Sequence, residues 1–340
     1  MSIIQIIKKK NNKILFTTPS HNGKTFIYKK FCHWYKSDIS ETDTHNPQKA
    51  LEEAEERASK IYGTKFTKFL TNGSTSGVIS AIIASGAKSI AIWDNAHICH
   101  KNGAKLAGCS IVEYSLEKDK NLGVYKAITS EKVKELINKE NFDALLITTP
   151  TYEGFTADIK SISEICKKNN IKLIADEAHG ALYPFSDELP ESAIKYADYT
   201  VQSLHKTAGG INPTALLHSN DKDPSEALSL INTTSPSYPM LATIEANIKF
   251  LNSSRGRKKI NTLITNIMSL KIPKLNDDVT KILIKHPAMS GYELSNILYN
   301  KYNIEDEKTN DKTTMLLCGI GTEIRMLQKL KTALINLGII

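Results

Sequence analysis

Seven short segments constrain the fold of this chain more than any other feature of its sequence. Each is five or six residues long and mostly apolar, which is typical of strands covered on both faces of a sheet. They span 66–71, 89–93, 110–114, 144–149, 171–175, 198–203 and 214–218. Helical patterns occur at 47–62, 75–86, 130–139, 158–169 and 240–251. This alternation predicts an α/β fold with a mostly parallel seven-stranded sheet flanked by helices.

The remaining segments divide the chain into three predicted parts. Residues 1–45 carry few helical signals and are predicted to form an N-terminal arm. Residues 46–251 contain the strand and helix alternation and are predicted to form the large domain. At 252–258 the sequence becomes polar and basic, so 252–340 is predicted to be a small α+β C-terminal subdomain with two strands and two helices.

Composition excludes several classes of protein. The net charge is +8, but the lysines are dispersed without an Arg and aromatic stripe, so we expect no nucleic-acid partner. The five cysteines are odd in number and form no CxxC pair, which argues against disulfides and structural zinc. The sequence has no signal-peptide pattern and no apolar run of about 18 residues. We therefore predict a cytoplasmic protein without a membrane partner or a metal.

Polar groups follow several predicted strands, at the edge where ligands bind in α/β sheets. A Gly/Ser/Thr turn at 72–77 opens a helix and offers an anion its N–H groups and hydroxyls, although a simple helix cap is the alternative. Asp176 ends a buried strand and requires a positive partner. Lys206 follows another strand, where burial would lower its pKa and make it nucleophilic. Taken singly, His97, Asp176 and Lys206 could each be ordinary loop or capping residues.

Together these groups provide what pyridoxal 5′-phosphate (PLP) requires of a protein. The turn at 72–77 would hold the phosphate, and His97 would lie flat on the ring. Asp176 would keep the pyridine nitrogen protonated, and Lys206 would form the Schiff base. We therefore predict a PLP enzyme.

The sequence resembles the Orn/Lys/Arg decarboxylases, PLP enzymes of fold type I, from about residue 14 to 335. The matching elements are Thr18-Pro19-Ser20-His21, the acidic stretch from Asp38 to Glu41 with Asp43 and Pro47, Phe69 to Gly77, Asn95-Ala96-His97, Pro150-Thr151-Tyr152, Asp176-Glu177-Ala178-His179-Gly180, Ser203-Leu204-His205-Lys206-Thr207, Thr234-Ser235-Pro236-Ser237-Tyr238 and 291–305. The chain departs from the family pattern at Asp94, where the family has Arg, and at Ile98-Cys99, where it has Lys-Ser. It resembles a short member without the N-terminal wing and most of the C-terminal domain.

The resemblance implies a role for each site residue. The phosphate would be bound by Gly73, Ser74, Thr75, Ser203 and His205. The resemblance places His97 on the ring, Asp176 at the pyridine nitrogen, His179 near the ring hydroxyl and PLP on Lys206. It implies four catalytic residues, namely Lys206, Asp176, His97 and His205. It also implies a homodimer in which Ser235 and Ser237 approach the neighbouring subunit's site.

The implied reaction is decarboxylation of ornithine, lysine or arginine to the amine and CO2, as in polyamine biosynthesis. Two alternatives stay open: another substrate or reaction on the same scaffold, such as transamination or elimination, or a PLP-binding protein without turnover. Glu153 is an acidic candidate for the substrate pocket, or else a solvated loop residue.

Three other motifs carry less weight. Gly23-Lys24-Thr25 lacks the glycine that a nucleotide-binding P-loop places five residues earlier, because Thr18 stands there. Gly319-Ile320-Gly321 lacks the third glycine of a dinucleotide fingerprint. His97-Ile98-Cys99-His100 has no partner pair with metal-ligand spacing, and both histidines are interpreted as loop residues.

Overall fold

A computed structural model of the chain describes residues 1–10, 32–39 and 47–340. The predicted motif at Thr18-Pro19-Ser20-His21, the stretch from Glu41 to Asp43 and the rejected Gly23-Lys24-Thr25 loop lie outside these ranges. Among the residues described, no helix is both long and apolar enough to cross a membrane.

The elements follow each other in the predicted alternation. In chain order the strands are β1 (Phe66–Leu70), β2 (Ser89–Trp93), β3 (Ser110–Tyr114), β4 (Lys118–Asp119), β5 (Val124–Tyr125), β6 (Ala144–Thr148), β7 (Lys172–Asp176), β8 (Tyr199–Ser203), β9 (Ala215–Ser219), β10 (Lys281–Ile284), β11 (Lys308–Thr309) and β12 (Thr314–Leu317). The helices are α1 (Ile3–Lys10), α2 (Cys32–Ser37), α3 (Pro47–Tyr62), α4 (Gly73–Ser85), α5 (Ile98–Leu106), α6 (Ser130–Lys139), α7 (Ile159–Lys168), α8 (Leu204–Thr207), α9 (Ser225–Ser229), α10 (Tyr238–Asn252), α11 (Ser254–Met268), α12 (Gly291–Tyr302) and α13 (Ile324–Asn336).

A seven-stranded sheet forms the centre, in the order β1-β9-β8-β7-β6-β2-β3. The pairings among β3, β2, β6, β7 and β8 are parallel, and β9 runs antiparallel to both β8 and β1. The strands contribute buried apolar side chains to three clusters, because helices cover both faces of the sheet. The predicted α/β class, the mostly parallel seven-stranded sheet and all seven strand positions are confirmed.

The beginning of the chain is more helical than the sequence indicated. The predicted arm contains α1, which buries Ile3, Ile6 and Ile7 in the cluster formed with α3 and α10. The expectation of few helical signals was wrong here, because isoleucines at positions i, i+3 and i+4 form one apolar stripe of a helix.

The C-terminal part has its own three-stranded antiparallel sheet, in the order β10-β12-β11, and its own apolar cluster. The expected two strands and two helices are three of each, since α11 and the two-residue β11 add to them. The sequence interpretation missed α11 because this helix begins with polar and basic residues, although one of its faces is apolar. Ile260 and Ile264 of α11 join the cluster of the large domain, whereas Leu263 and Ile267 join that of the C-terminal part. The division at residue 251 stays a prediction.

Candidate active site

The carboxyl ends of the central strands bring Asp176, His179 and Lys206 together. Asp176 is the last residue of β7 and pairs in register with Thr148 of β6 and Val201 of β8. Lys206 lies in α8, the single helical turn that begins directly after β8. Its amine is 3.0 Å from Nε2 of His179, which follows β7. Three sequence-predicted residues thus meet at one sheet edge.

The environment of the Lys206 amine favours its unprotonated, nucleophilic form. Burial of the side chain lowers the pKa of Lys206, although the negative charges of Asp176 and Glu307 oppose that shift. Burial, together with the charges of Lys281 and Lys206, also holds the pKa of His179 well below its usual value. His179 is therefore neutral at pH 7, and an amine beside it has a larger unprotonated fraction than a free lysine.

Asp176 is a buried carboxylate with two hydrogen bonds. Its Oδ1 accepts a bond of 3.1 Å from the Ala178 amide, and its Oδ2 lies 2.8 Å from Nε2 of His100. Burial would raise the pKa of Asp176, but the hydrogen bond from His100 and the charge of Lys206 outweigh it, so the pKa lies below the ordinary value. The end of β7 therefore presents an anion.

His100 is the residue that the sequence interpretation missed. It was expected in a loop, but it lies within α5 and is fully buried. His97, by contrast, is exposed at the N-cap of α5, where its Nδ1 accepts a hydrogen bond of 3.3 Å from the Cys99 amide. The spacing of three residues places the two histidines on neighbouring positions of a helix surface, which was the available signal.

The turn at 72–77 opens α4 as predicted. Gly73 has a φ of +74°, a left-handed conformation that glycine adopts without a steric penalty. Ser74 and Thr75 follow in the first turn of α4, where N–H groups point out of the helix end. These N–H groups could hold an anion beside the carboxyl end of β1, as predicted from the sequence.

Several buried polar atoms at the strand ends have no hydrogen-bond partner among the described residues. They are Ser203 Oγ, Thr207 Oγ1 and His179 Nδ1. Buried polar atoms are seldom unpaired in folded proteins, so these atoms are available to a polar ligand. His205 lies beside them and donates Nδ1–H to the Thr214 carbonyl at 3.0 Å, which leaves its Nε2 for other partners.

A second wall of the site joins the segment after β6 to the C-terminal part of the chain. The Tyr152 ring lies 4.7 Å from the His179 ring, and the Tyr152 hydroxyl donates a hydrogen bond of 2.6 Å to Glu307. Glu153, left open as a pocket or solvated residue, is buried and forms an ion pair of 2.7 Å with Lys308. Glu307 could not be selected from the sequence, because it lies in a distant segment just before β11.

A buried ion pair fixes this second wall behind His179. Lys281 at the start of β10 pairs with Asp278, and both side chains are inaccessible to solvent. Asp278 also accepts a hydrogen bond of 2.7 Å from Tyr183. The Lys281 amine donates to the backbone carbonyl of His179 at 3.4 Å. The position of His179 thus depends on both parts of the chain.

Ser235 and Ser237 lie in the segment before α10. Ser235 is exposed, and Ser237 is the N-cap residue of α10. Their expected role concerns a neighbouring subunit, which a single chain does not describe, so it stays a prediction.

Comparison with known proteins identifies relatives over most of the chain. The family model of the Orn/Lys/Arg decarboxylase major domain matches residues 5–286. The arginine decarboxylase of Bacillus anthracis is 30% identical over 311 residues, which cover 82% of this chain and 62% of that protein. The uncharacterized protein YaaO of Bacillus subtilis is 27% identical, with 94% of this chain and 73% of that protein covered.

The fold also matches a solved structure. The constitutive lysine decarboxylase of Escherichia coli superposes with a TM-score of 0.81 at 19% identity, over 99% of this chain and 60% of that one. This chain thus spans about three fifths of the length of the arginine and lysine decarboxylases it matches.

Proposed function

This chain belongs to the Orn/Lys/Arg decarboxylase family of PLP-dependent enzymes, and from that premise we propose that it decarboxylates a basic amino acid to the amine and CO2. The predicted family, fold type I, cofactor and enzyme class agree with this membership. The substrate is the open question, because the identity to any named decarboxylase is low.

The residues at the strand ends fit PLP. Gly73, Ser74, Thr75, Ser203 and His205 would hold the phosphate, and the unpaired Ser203 hydroxyl is the observation that supports this set. His97 would lie on the ring, and His179 would lie near the ring hydroxyl. Lys206 would carry the cofactor. When bound, PLP supplies an electron-withdrawing ring that accepts the electrons of the breaking bond between Cα and the carboxylate.

The chain's own groups then position charges and protons. Asp176 is an anion in the resting protein and would hold a proton on the ring nitrogen by charge attraction. Lys206 has a lowered pKa, so its neutral amine can form and release the covalent bond to the cofactor. His205 donates its Nδ1–H to a carbonyl, so its Nε2 is the nitrogen that would face the phosphate.

The position and charge of Glu307 are the observation that supports a basic substrate. Its carboxylate is held by Tyr152, and its negative charge acts on the Lys206 amine. Glu153 is already neutralised by Lys308, so Glu307 is the carboxylate with charge to offer on this wall. A substrate with a cationic end would gain a charge-assisted hydrogen bond there, whereas a neutral side chain would leave Glu307 without a charged partner.

A substrate screen tests the proposal. Purified PLP-loaded protein would be incubated with the proteinogenic amino acids, ornithine and diaminobutyrate, and CO2 and the amine product would be measured. We expect release from one or more of lysine, ornithine and arginine, and little from citrulline, which matches arginine in shape but lacks its charge. Equal turnover of citrulline, a keto-acid product, or no product from any amino acid would contradict it.

We further propose that the protein is a cytoplasmic homodimer in polyamine biosynthesis, with Ser235 and Ser237 reaching the neighbouring subunit's site. The support is the exposure of Ser235 in the segment before α10, which matches the family's Thr234-Ser235-Pro236-Ser237-Tyr238 element. Mixing inactive Lys206→Ala protein with inactive Ser237→Ala protein would restore activity if sites are shared between subunits. Absence of restoration in mixed dimers that light scattering and mass spectrometry verify would contradict the shared site.

A further inference from the structure

His100 and Asp176 form a buried pair that none of the predicted roles uses. The two residues are 76 positions apart in sequence, one within α5 and the other at the end of β7. Nε2 of His100 lies 2.8 Å from Oδ2 of Asp176, and the His100 side chain has no solvent exposure. A histidine placed so deeply beside one carboxylate restricts what that carboxylate can do.

The geometry fixes which ring nitrogen carries hydrogen. An ionised carboxylate only accepts hydrogen bonds, so Nε2 is the donor. Nδ1 is buried and has no partner within the described ranges. The pair is thus joined by one hydrogen bond from Nε2–H to Oδ2, and Oδ2 keeps a further lone pair.

A metal ion is a poorer account of the same atoms. One ligand atom each of Cys99, His100 and Asp176 lies within 4.8 Å of the others, in a cluster that is buried. Two ligands of one tetrahedral zinc ion, however, lie about 3.3 Å apart, given bond lengths of about 2.0 Å. The 2.8 Å between Nε2 and Oδ2 is the length of a charge-assisted hydrogen bond.

We propose that His100 is a positioning residue for the cofactor: it fixes the plane of the Asp176 carboxylate and keeps it anionic toward the ring nitrogen of PLP. With the Ala178 amide on Oδ1 and His100 on Oδ2, both oxygens are held, and each retains a lone pair for a further donor. The inference rests on the proposed placement of Asp176 at the ring nitrogen. His100 directly follows Ile98-Cys99, where the chain departs from the family pattern.

Three substitutions of His100, which differ in length and in hydrogen-bonding capacity, test the proposal. His100→Gln places an amide N–H near the position of Nε2, whereas His100→Asn ends one bond short, and His100→Leu removes the donor. The readouts are the PLP dissociation constant of the apoprotein and the NMR shift of isotope-labelled ring nitrogen against pH. His218→Leu is the matched control, because His218 is equally buried but bonds to Thr67 on β1.

We expect His100→Leu and His100→Asn to weaken PLP binding about 10- to 100-fold, by analogy with removal of an outer hydrogen-bond partner of a metal ligand. The ring nitrogen should lose its proton at lower pH in both variants, and His100→Gln should restore most of each effect. If His100→Leu does not fold, the comparison of Gln with Asn decides. His218→Leu should lower thermal stability without moving either readout.

Two outcomes would overturn the inference, and they separate it from its premise. If Asp176→Asn deprotonates the ring nitrogen but His100→Asn and His100→Gln both behave as wild type, the role of His100 is wrong and that of Asp176 stands. If Asp176→Asn itself leaves the ring nitrogen protonated, the placement of Asp176 is wrong, and the inference falls with it. Neither outcome depends on which amino acid is decarboxylated.

Discussion

The two walls of the site are built in different ways. The wall with Asp176, His179 and Lys206 comes from neighbouring strands of one sheet, and its members are separated by short stretches of chain. The opposite wall joins Tyr152 to Glu307 across 155 residues. The first wall therefore forms with the sheet, whereas the second exists only when the C-terminal part is docked. Under the proposed function, the first would bind the cofactor and the second would select the substrate.

The contacts that dock the C-terminal part also hold the two walls in position relative to each other. Asn276 donates to the carbonyl of Glu153 at 2.6 Å and to that of Lys281 at 2.7 Å. Lys281 in turn reaches the carbonyl of His179. A buried charged lysine is stabilised only by its partners, so the Asp278 ion pair ties this arrangement to one geometry. Changes to each wall should therefore have separable effects on cofactor and substrate.

The largest expected effect is on the first wall. Lys206→Ala removes the amine that would carry the cofactor, so the visible absorption band of the covalently bound cofactor should disappear. Turnover should fall at least about 10³-fold, because removal of a nucleophile abolishes the covalent route. Lys195→Ala is the control, since Lys195 is exposed and pairs with Glu191 in its own segment. A band that persists in Lys206→Ala would refute the assignment.

Glu307→Gln tests the second wall. The change keeps the shape and the bond from Tyr152 but removes the charge, so KM for the preferred substrate should rise about 10- to 100-fold, as expected for loss of a charged hydrogen bond. The PLP dissociation constant should stay the same. Glu305→Gln, two residues earlier and exposed, is the control and should change neither quantity. A loss of PLP affinity without a change in KM would reverse the roles of the two walls.

The same contrast explains what the sequence could predict. Lys206 and Asp176 follow apolar strands within short local motifs, so their meeting at one sheet edge follows from the parallel fold alone. Glu307 is one glutamate among several in a polar stretch, and only docking of the C-terminal part gives it a role. Lys281 was also undetectable, because a lysine in a short apolar segment gives no sign that it will be buried against Asp278.

His100 was neither as predictable as Lys206 and Asp176 nor as undetectable as Glu307 and Lys281. Its helix was not among those predicted, so its buried face could not be read from a period of apolar residues. The partner, Asp176, was known to need a positive or donating group, and that requirement was assigned entirely to the cofactor. The sequence thus indicated that Asp176 needs a partner, and the structure shows that the His100 side chain is one such partner.

Gly154→Ala should disturb the contacts of Asn276 and Lys281 that join the two walls. Gly154 has a φ of +93°, and an added Cβ would lie 2.8 Å from Nδ2 of Asn276 and 3.0 Å from Cδ of Lys281. We expect a loss of about 1–3 kcal/mol of stability from the strained conformation, with a further loss from the clash. KM should rise more than the PLP dissociation constant.

Gly63→Ala separates the two causes in that experiment. Gly63 has a φ of +69°, but no described atom lies within 4 Å of its added Cβ. It reports the conformational penalty alone, and thermal unfolding of both variants gives the difference. Equal destabilisation by the two changes would show that the joint at Asn276 tolerates the methyl group, and that the second wall is less tightly docked than proposed.

The smallest expected effect comes from Tyr152→Phe. The ring contact with His179 remains, and only the hydroxyl that donates to Glu307 is lost. Glu307 keeps its charge but loses the bond that fixes its direction, so KM should rise only a few-fold, less than for Glu307→Gln, with kcat unchanged. In the double variant Tyr152→Phe with Glu307→Gln, the effects should be less than additive, since both act on one contact. Full additivity would mean that Tyr152 contacts the substrate by itself, which would make the second wall a site of two independent groups.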